Sequence, residues 1–361
     1  MLNESNLEIL IANEVHKQRA AFYEHTYPKT KMIVGDIKEK KVFNTIISES
    51  INLGIDFLMA TPPCQGMSTA GKLHLFDERN QLIYYAIKLI NELKPKYALI
   101  ENIPQQLKTS IIIGNRKVLI PDYIKLKLNK EYLINSQIID AADYGIPQIR
   151  KRSILLLTRK NINKSFLFLS KSEYKKHISL KESIFHLPEL DPRVQEFNMS
   201  EQLDYFPEFE IKEAKASIVS KWHKPPIHKI RHVDVMKNTP EGKSALFNKS
   251  FYPKKKDGTR IKGYKNTYRR QLWNRPAYTV TTYNGAICSH DNVHPGRTKM
   301  IDGKLFYSDA RVFSIFELMI VMSIPTNWDI PNWANDSLIR HSIGEGLPPL
   351  ILLKLLNKLN F

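Results

Sequence analysis

The sequence predicts an α/β fold, an open and mostly parallel sheet flanked by helices, with a smaller, loop-rich second domain. Two observations predict it. Over the first 160 residues, short apolar runs alternate with helical periodicity, and several runs end on a polar residue. From about 162 to 275 that alternation fades, and lysines, aromatics and prolines mix. The expected division is 1–160 for the first part of the sheet domain, 161–275 for the second domain, and 276–361 for the return to the first.

The elements follow in order. Leu7 to Ala12 reads as a strand ending at Asn13-Glu14, and Val15 to His25 as a helix closed by Tyr27-Pro28. Met32 to Val34 is a short strand ending at Gly35-Asp36. Ile55 to Ala60 is the next strand. Leu82, Ala86, Leu89, Ile90 and Leu93 recur at helical spacing and stop before Pro95. Tyr97 to Ile100 is a strand that releases Glu101-Asn102. Tyr132 to Ile139 and Ser153 to Thr158 are two further strands, joined by a loop holding Gly145 and Pro147. Beyond about 276, helices are expected over Ser308 to Met322 and Pro348 to Leu359.

The strand at Ile55 leads into Ala60-Thr61-Pro62-Pro63-Cys64-Gln65-Gly66-Met67-Ser68. Two prolines stop the strand and stiffen its exit, since each fixes φ and lacks an N–H. A thiol then stands at the strand's C-terminal tip, where open α/β sheets place their chemistry. Glu14, Asp36 and Glu101 follow other strand ends, so parallel strands gather all four residues on one rim. An acidic residue after a strand in such a sheet commonly binds a ribose hydroxyl or an adenine amine. Gln148, Arg150 and Arg152 precede the strand at Ser153 at alternate positions, so both arginines are expected to face one site. If the strand at 132–139 runs parallel to the others, their loop returns to the same rim.

Composition bounds the function. The chain carries 54 Lys and Arg against 36 Asp and Glu, a formal charge of +18, which points to a polyanionic partner. Two cysteines cannot build a disulfide framework, so a reducing cytoplasm is expected. No apolar run is long enough to span a membrane, and Met1-Leu2-Asn3-Glu4-Ser5 lacks a basic n-region and an apolar h-region. No metal site is expected.

Five motifs then occur in order: Pro63-Cys64-Gln65, Glu101-Asn102-Ile103, Gln148-Ile149-Arg150-Lys151-Arg152, Arg275-Pro276-Ala277-Tyr278-Thr279-Val280 and Gly344-Glu345-Gly346-Leu347-Pro348-Pro349. This set resembles the DNA (cytosine-5) methyltransferase family of bacterial restriction–modification systems, from about Leu7 to Leu359. The resemblance implies a Rossmann-like S-adenosylmethionine-dependent methyltransferase sheet, with a target-recognition domain at 161–275. It implies a cytoplasmic, nucleoid-associated enzyme acting on double-stranded DNA.

The implied roles give the rim a chemistry. Cys64 is the nucleophile that attacks cytosine C6, making C5 able to accept a methyl group. Glu101 stabilises charge at N3, and burial is expected to raise its pKa. Arg152, with Arg150 beside it, holds the cytosine O2 or fixes the Cys64 loop. The base must be flipped out of the duplex, and 67–78 resembles the loop that closes over it. S-adenosylmethionine is the implied donor, with Glu14 on its ribose, Asp36 and Ile37 at its adenine, and Pro63, Leu82 and Glu345 around it. Gln65, Ser68, Gln148, Lys224, Arg231, Lys255, Arg260 and Arg269 are the DNA-contacting candidates, mixing phosphate and base-edge contacts. Thr279 and its neighbours are expected to seat the second domain.

The chain departs from the family in two places. Family members open with a strand and a turn resembling Phe-x-Gly-x-Gly-Gly, but the first glycine here is Gly35. The first strand of the sheet is expected to be missing, so a second polypeptide, an upstream segment or a second copy is expected to complete it. Near the end, Glu345 stands where the family has Asn. An ionised carboxylate cannot donate to the cofactor as an amide can. Two alternatives stay open, an inactive relative that binds DNA and an RNA (tRNA) cytosine-5 methyltransferase.

Overall fold

The computed structural model describes residues 7–63, 78–168, 176–248, 250–255, 257–261, 267–286, 291–301 and 303–359. The first part alternates strands and helices. β1 (Ile11–Glu14), α1 (Lys17–Thr26), β2 (Lys31–Val34), α2 (Lys40–Asn52), β3 (Phe57–Ala60), α3 (Leu82–Leu93) and β4 (Tyr97–Asn102) come first. A hairpin of β5 (Ser110–Ile113) and β6 (Arg116–Leu119) leads into α4 (Ile120–Leu128), then β7 (Tyr132–Asp140) and β8 (Lys151–Arg159).

Local chemistry sets several boundaries. α3 ends where Lys94 takes a left-handed conformation (φ 47°) ahead of Pro95. Pro121 in the first turn of α4 loses nothing there, because that N–H has no intrahelical partner. The C-terminal helix expected from Ser308 begins later, as α9 (Ile315–Val321). Ser314 and Glu317 form its capping box, each side chain bonding the other's backbone N–H. Residues 308–313 are instead irregular, with Asp309 left-handed (φ 49°), and they bury the charges of Asp309 and Arg311.

A four-stranded sheet has the order β3-β4-β8-β7. β3 pairs parallel to β4, and β8 antiparallel to both β4 and β7, so β7 runs parallel to β4. The loop before β8 therefore returns to the C-terminal end of β4, as the parallel reading of 132–139 required. One face of this sheet packs Ala98, Ile100, Leu155 and Leu157 against α3 and α4 through Ile87, Ile90 and Ile124. The other packs Tyr97, Leu99, Ile154 and Leu156 against Phe166 and the last helix, α11 (Pro349–Leu356), through Ile351 and Leu355. The chain's end thus returns to the sheet built by its beginning.

β1 and β2 form a separate two-stranded parallel sheet. Ile11 of β1, Ile33 of β2 and Leu58 of β3 share one apolar cluster with Phe43 and Ile46 of α2 and Leu89 of α3. β1 and β3 are not hydrogen-bonded to each other. Every residue of β4 is buried, whereas no residue of β1 or of β3 is. The sheet is thus split in two, and burial falls away toward the split from the β4 side.

The remaining elements are α5 (Leu180–Ile184), β9 (Arg193–Val194), α6 (Met199–Tyr205), α7 (Phe209–Val219), β10 (Ile227–His228), α8 (Ile230–Lys237), β11 (Thr298–Ile301), β12 (Lys304–Tyr307) and α10 (Asp336–Glu345). Val194, Val233, Met236, Ala245, Tyr268, Val293 and Val312 make a core of their own. α5, α9 and α10 enclose another with Ala277 and Val280. Among the described residues no helix is long and apolar enough to cross a membrane.

Candidate active site

The parallel register of β3 on β4 sets Ala60 beside Ile100, which brings Glu101 and Asn102 alongside the Thr61-Pro62-Pro63 exit. Cys64, Gln65 and Ser68 lie outside the described residues, as does 67–77 of the expected closing loop. What surrounds the exit is described. Asn102 Nδ2 donates to the Pro62 carbonyl at 3.0 Å, and its Oδ1 accepts the Ile103 N–H at 2.8 Å.

Glu101 is 8% exposed. Arg152, just inside β8, sets its Nε 2.8 Å from Glu101 Oε1. The two effects on the carboxyl oppose each other. Burial is the largest and raises the pKa, while Arg152 and Arg150 draw it back without cancelling the rise. The result is a carboxyl group whose proton is held more tightly than usual, beside a fixed guanidinium.

Arg150 behaves differently from the expectation that both arginines serve one site. It is 1% exposed and is consumed by backbone carbonyls. Nη1 donates to Val280 O at 2.7 Å, and Nη2 to Gly344 O at 2.7 Å and Gly346 O at 2.9 Å. It lies near enough to lower the Glu101 pKa, yet its hydrogen bonds tie β8 to the C-terminal segment. Gln148 also departs from its expected place at the DNA. It is fully buried, accepting the Val280 N–H at 3.0 Å and donating to Met322 Sδ at 2.8 Å and Val321 O at 3.3 Å. Thr279 Oγ1 donates to Ile149 O at 2.7 Å in the same joint. A buried amide and guanidinium satisfy these carbonyls because water cannot.

Glu14 and Asp36 follow adjacent strands of the small sheet. Glu14 Oε1 accepts the His16 N–H at 2.8 Å, and Asp36 Oδ1 the Lys38 N–H at 2.9 Å. Asn13 Nδ2 bridges to Ile33 O and Gly35 O, holding the two strand ends together. Ile37 packs on the α2 and α3 cluster. Pro63 is exposed and Leu82 half-buried at the start of α3. Glu345 is paired with Arg19 Nη1 at 3.0 Å and His341 Nε2 at 3.0 Å. The donor set suits an adenosine: carboxylates for a diol and an amine, and Ile37, Leu82 and Pro63 as apolar surface.

Among the basic candidates, Lys224, Arg231, Lys255 and Arg260 are exposed. Arg260 lies over the Tyr252 ring and donates to Leu246 O. Arg269 is more tied down, donating to Gly242 O at 3.1 Å, pairing with Asp291 at 3.5 Å and covering Tyr278.

Sequence reasoning missed two groups. Asn102 was inside a quoted motif, and its place after a fully apolar strand beside a Pro-Pro exit was the available signal. The second is a buried network of Arg311, Asp309, Glu317 and His294. Arg311 meets Glu317 at 2.7 Å and Asp309 at 2.8 Å, and His294 lies 3.4 Å from Glu317. The Ser-x-x-Glu spacing of 314–317 marked part of it.

Known proteins match along the same lines. The family model described as C-5 cytosine-specific DNA methylase matches residues 1–360. The Type II methyltransferase M1.HgaI of Avibacterium volantium is 40% identical over 357 residues, covering 97% of this chain and 91% of that relative. Two solved structures share the fold at 15% identity. A DNMT2 mutant from Spodoptera frugiperda has a TM-score of 0.61, covering 99% of this chain and 94% of its own. The Entamoeba histolytica methyltransferase EhMeth has a TM-score of 0.57, with 99% and 92% covered. With the whole chain matched and the Glu101–Arg152 pair standing at the exit toward Cys64, the chain belongs to the C-5 cytosine-specific DNA methylase family.

Proposed function

We propose that this chain methylates C5 of a flipped-out cytosine in duplex DNA, as the methyltransferase of a Type II restriction–modification system. Cys64 attacks C6, so that an Sγ–C6 bond forms and C5 becomes nucleophilic. Glu101 hydrogen-bonds or protonates N3 as charge builds there. Arg152 orients Glu101 and the base edge. S-adenosylmethionine supplies the methyl group. Loss of the C5 proton and elimination of Cys64 then restore the aromatic ring. Glu14 holds the ribose, Asp36 and Ile37 the adenine, with Pro63 and Leu82 alongside, and Glu345 contributes through Arg19. Lys224, Arg231, Lys255 and Arg260 supply cations to the phosphates.

The observation that carries this reading is the buried Arg152–Glu101 pair with its raised carboxyl pKa. A raised pKa is what a donor to a ring nitrogen needs near neutral pH. The test is transfer of labelled methyl from S-adenosylmethionine to long unmethylated phage DNA and to tRNA. Label in DNA, absent from Cys64→Ala, is the expected result. Label in tRNA alone, or turnover by Cys64→Ala, would overturn it.

The reading includes a parallel strand from a second polypeptide, seated between β1 and β3. The half-exposed state of both strands supports it. The 40% identical relative, matched over 97% of this chain, lends it no support. Full methyl transfer by the purified 361-residue chain alone would remove this part.

A further inference from the structure

The start of α1 and the end of α10 are joined by charge. Arg19, in the first turn of α1, sets Nη1 3.0 Å from Oε2 of Glu345, the last residue of α10. Nη2 of the same guanidinium stands 2.7 Å from His341 Nε2, which is 3.0 Å from Glu345 Oε1. Neither helix gains from its own charge. A cation at a helix N-terminus and an anion at a helix C-terminus each oppose the macrodipole. The two side chains are 24% and 35% exposed, and pairs this open to water add little stability.

The pair nevertheless stands on a rigid base. The buried Arg150 guanidinium donates to Gly344 O at 2.7 Å, Glu345 O at 3.4 Å and Gly346 O at 2.9 Å, which fixes the backbone on both sides of Glu345. Arg19 lies on the helix into which Glu14 leads, and Glu14 Oε1 accepts the N–H of His16, the N-cap of that helix. Both partners keep spare capacity, since a guanidinium has five N–H donors and a carboxylate about four lone-pair sites.

We propose that Arg19 and Glu345 together bind the amino-acid head of S-adenosylmethionine, Arg19 taking its carboxylate and Glu345 its ammonium. That head is a zwitterion, so it calls for a cation and an anion side by side. A fixed Arg–Glu pair supplies both. The inference deepens the reading of Glu14 as the ribose ligand and rests on it.

The experiment measures Kd by isothermal titration calorimetry, without turnover, for the parent, Arg19→Gln, Arg19→Lys, Glu345→Gln and Glu14→Ala. The probes are S-adenosylhomocysteine, its decarboxylated analogue, which keeps only the amine, and 5′-methylthioadenosine, which has no amino-acid head. Arg19→Gln should bind S-adenosylhomocysteine about 10- to 100-fold more weakly, the cost of a charged hydrogen bond, with the other two probes within about twofold of the parent. Arg19→Lys should recover part of that loss. Glu345→Gln should weaken S-adenosylhomocysteine and the decarboxylated analogue and spare 5′-methylthioadenosine. Glu14→Ala should weaken all three. Equal losses for all three probes in the Arg19 and Glu345 variants, an unchanged preference for S-adenosylhomocysteine over 5′-methylthioadenosine, or failure of both Arg19 variants to fold would each make the pair a brace between helices and overturn the proposal. Parental binding of every probe by Glu14→Ala, or no binding by the parent, would instead sink the cofactor reading beneath it.

Discussion

Arg152 Nε stands 2.8 Å from Glu101 Oε1, with both side chains about nine-tenths buried, and the carboxyl group is still harder to ionise than in water. Desolvation outweighs the ion pair. Glu101 therefore gives up its proton above the ordinary carboxyl range, and methyl transfer should fall as pH rises through that point. Glu101→Gln keeps a donor and cannot ionise. Its single-turnover rate should be about 10²-fold lower and should lose this falling limb, as read from rate against pH.

Removing the partner makes the opposing effects visible. Arg152→Ala leaves burial unopposed by its largest counterweight, so the falling limb should move to higher pH while the maximal rate drops. Arg152→Lys restores charge without the planar fork and should shift the limb back with only part of the rate. An unchanged limb in Arg152→Ala would show that some other group titrates.

Arg150 should act on stability before chemistry. Arg150→Ala strands the carbonyls of Val280, Gly344 and Gly346, and each buried unsatisfied group costs about 1–3 kcal/mol. Gly344→Ala attacks the same joint sterically, since a Cβ there would sit 2.1 Å from the Thr281 oxygen. Both variants should show a markedly lower Tm. The part of Arg150→Ala that stays folded should keep its affinity for DNA, measured by filter binding.

The Arg311 network predicts an acid signature. Burial pushes the Asp309 carboxyl up, but Arg311, with His294 and hydrogen bonds from Leu190 and Ser308, holds it down at about 2, against roughly 3.9 in an unfolded chain. A lowered folded pKa gives stability that is present above about pH 4 and lost as pH falls toward 2, worth about 2–3 kcal/mol. Asp309→Asn should flatten that part of the stability curve in urea titrations. Arg311→Met should cost about 3–5 kcal/mol at neutral pH, because Asp309 and Glu317 stay buried without it.

Strands β1–β4, β7 and β8 were legible as short runs with a clear stop, whereas β5, β6 and β9–β12 were passed over. The reading found β3 and β4 and the polar residues that follow them, and placed β7 and β8 to within two residues. It passed over α4 and α10, whose apolar stripes are short, and over α2, which begins on two lysines. It started α9 at Ser308, although the Ser-x-x-Glu signal begins at Ser314. Glu101 and Arg152 were readable as residues of one rim, because each stands beside a strand end, but their ion pair was not. The places of Arg150 and Gln148 were not readable, because their partners at Val280, Met322 and Gly344 lie 130 or more residues away and most of the bonds are to backbone, which leaves no trace in side-chain pattern.

The split sheet bears on how the two reactants would meet. Glu14 ends one hydrogen-bonded ladder, with Asp36 two residues beyond it, and Glu101 and Asn102 stand on another. Among the described residues no backbone hydrogen bonds carry the alignment from the first ladder to the second. Side chains on α2 and α3 carry it, through contacts that slide more easily than a ladder does. Under the proposed roles, conservative changes at Phe43, Ile46 or Leu89 would adjust the distance between donor and acceptor.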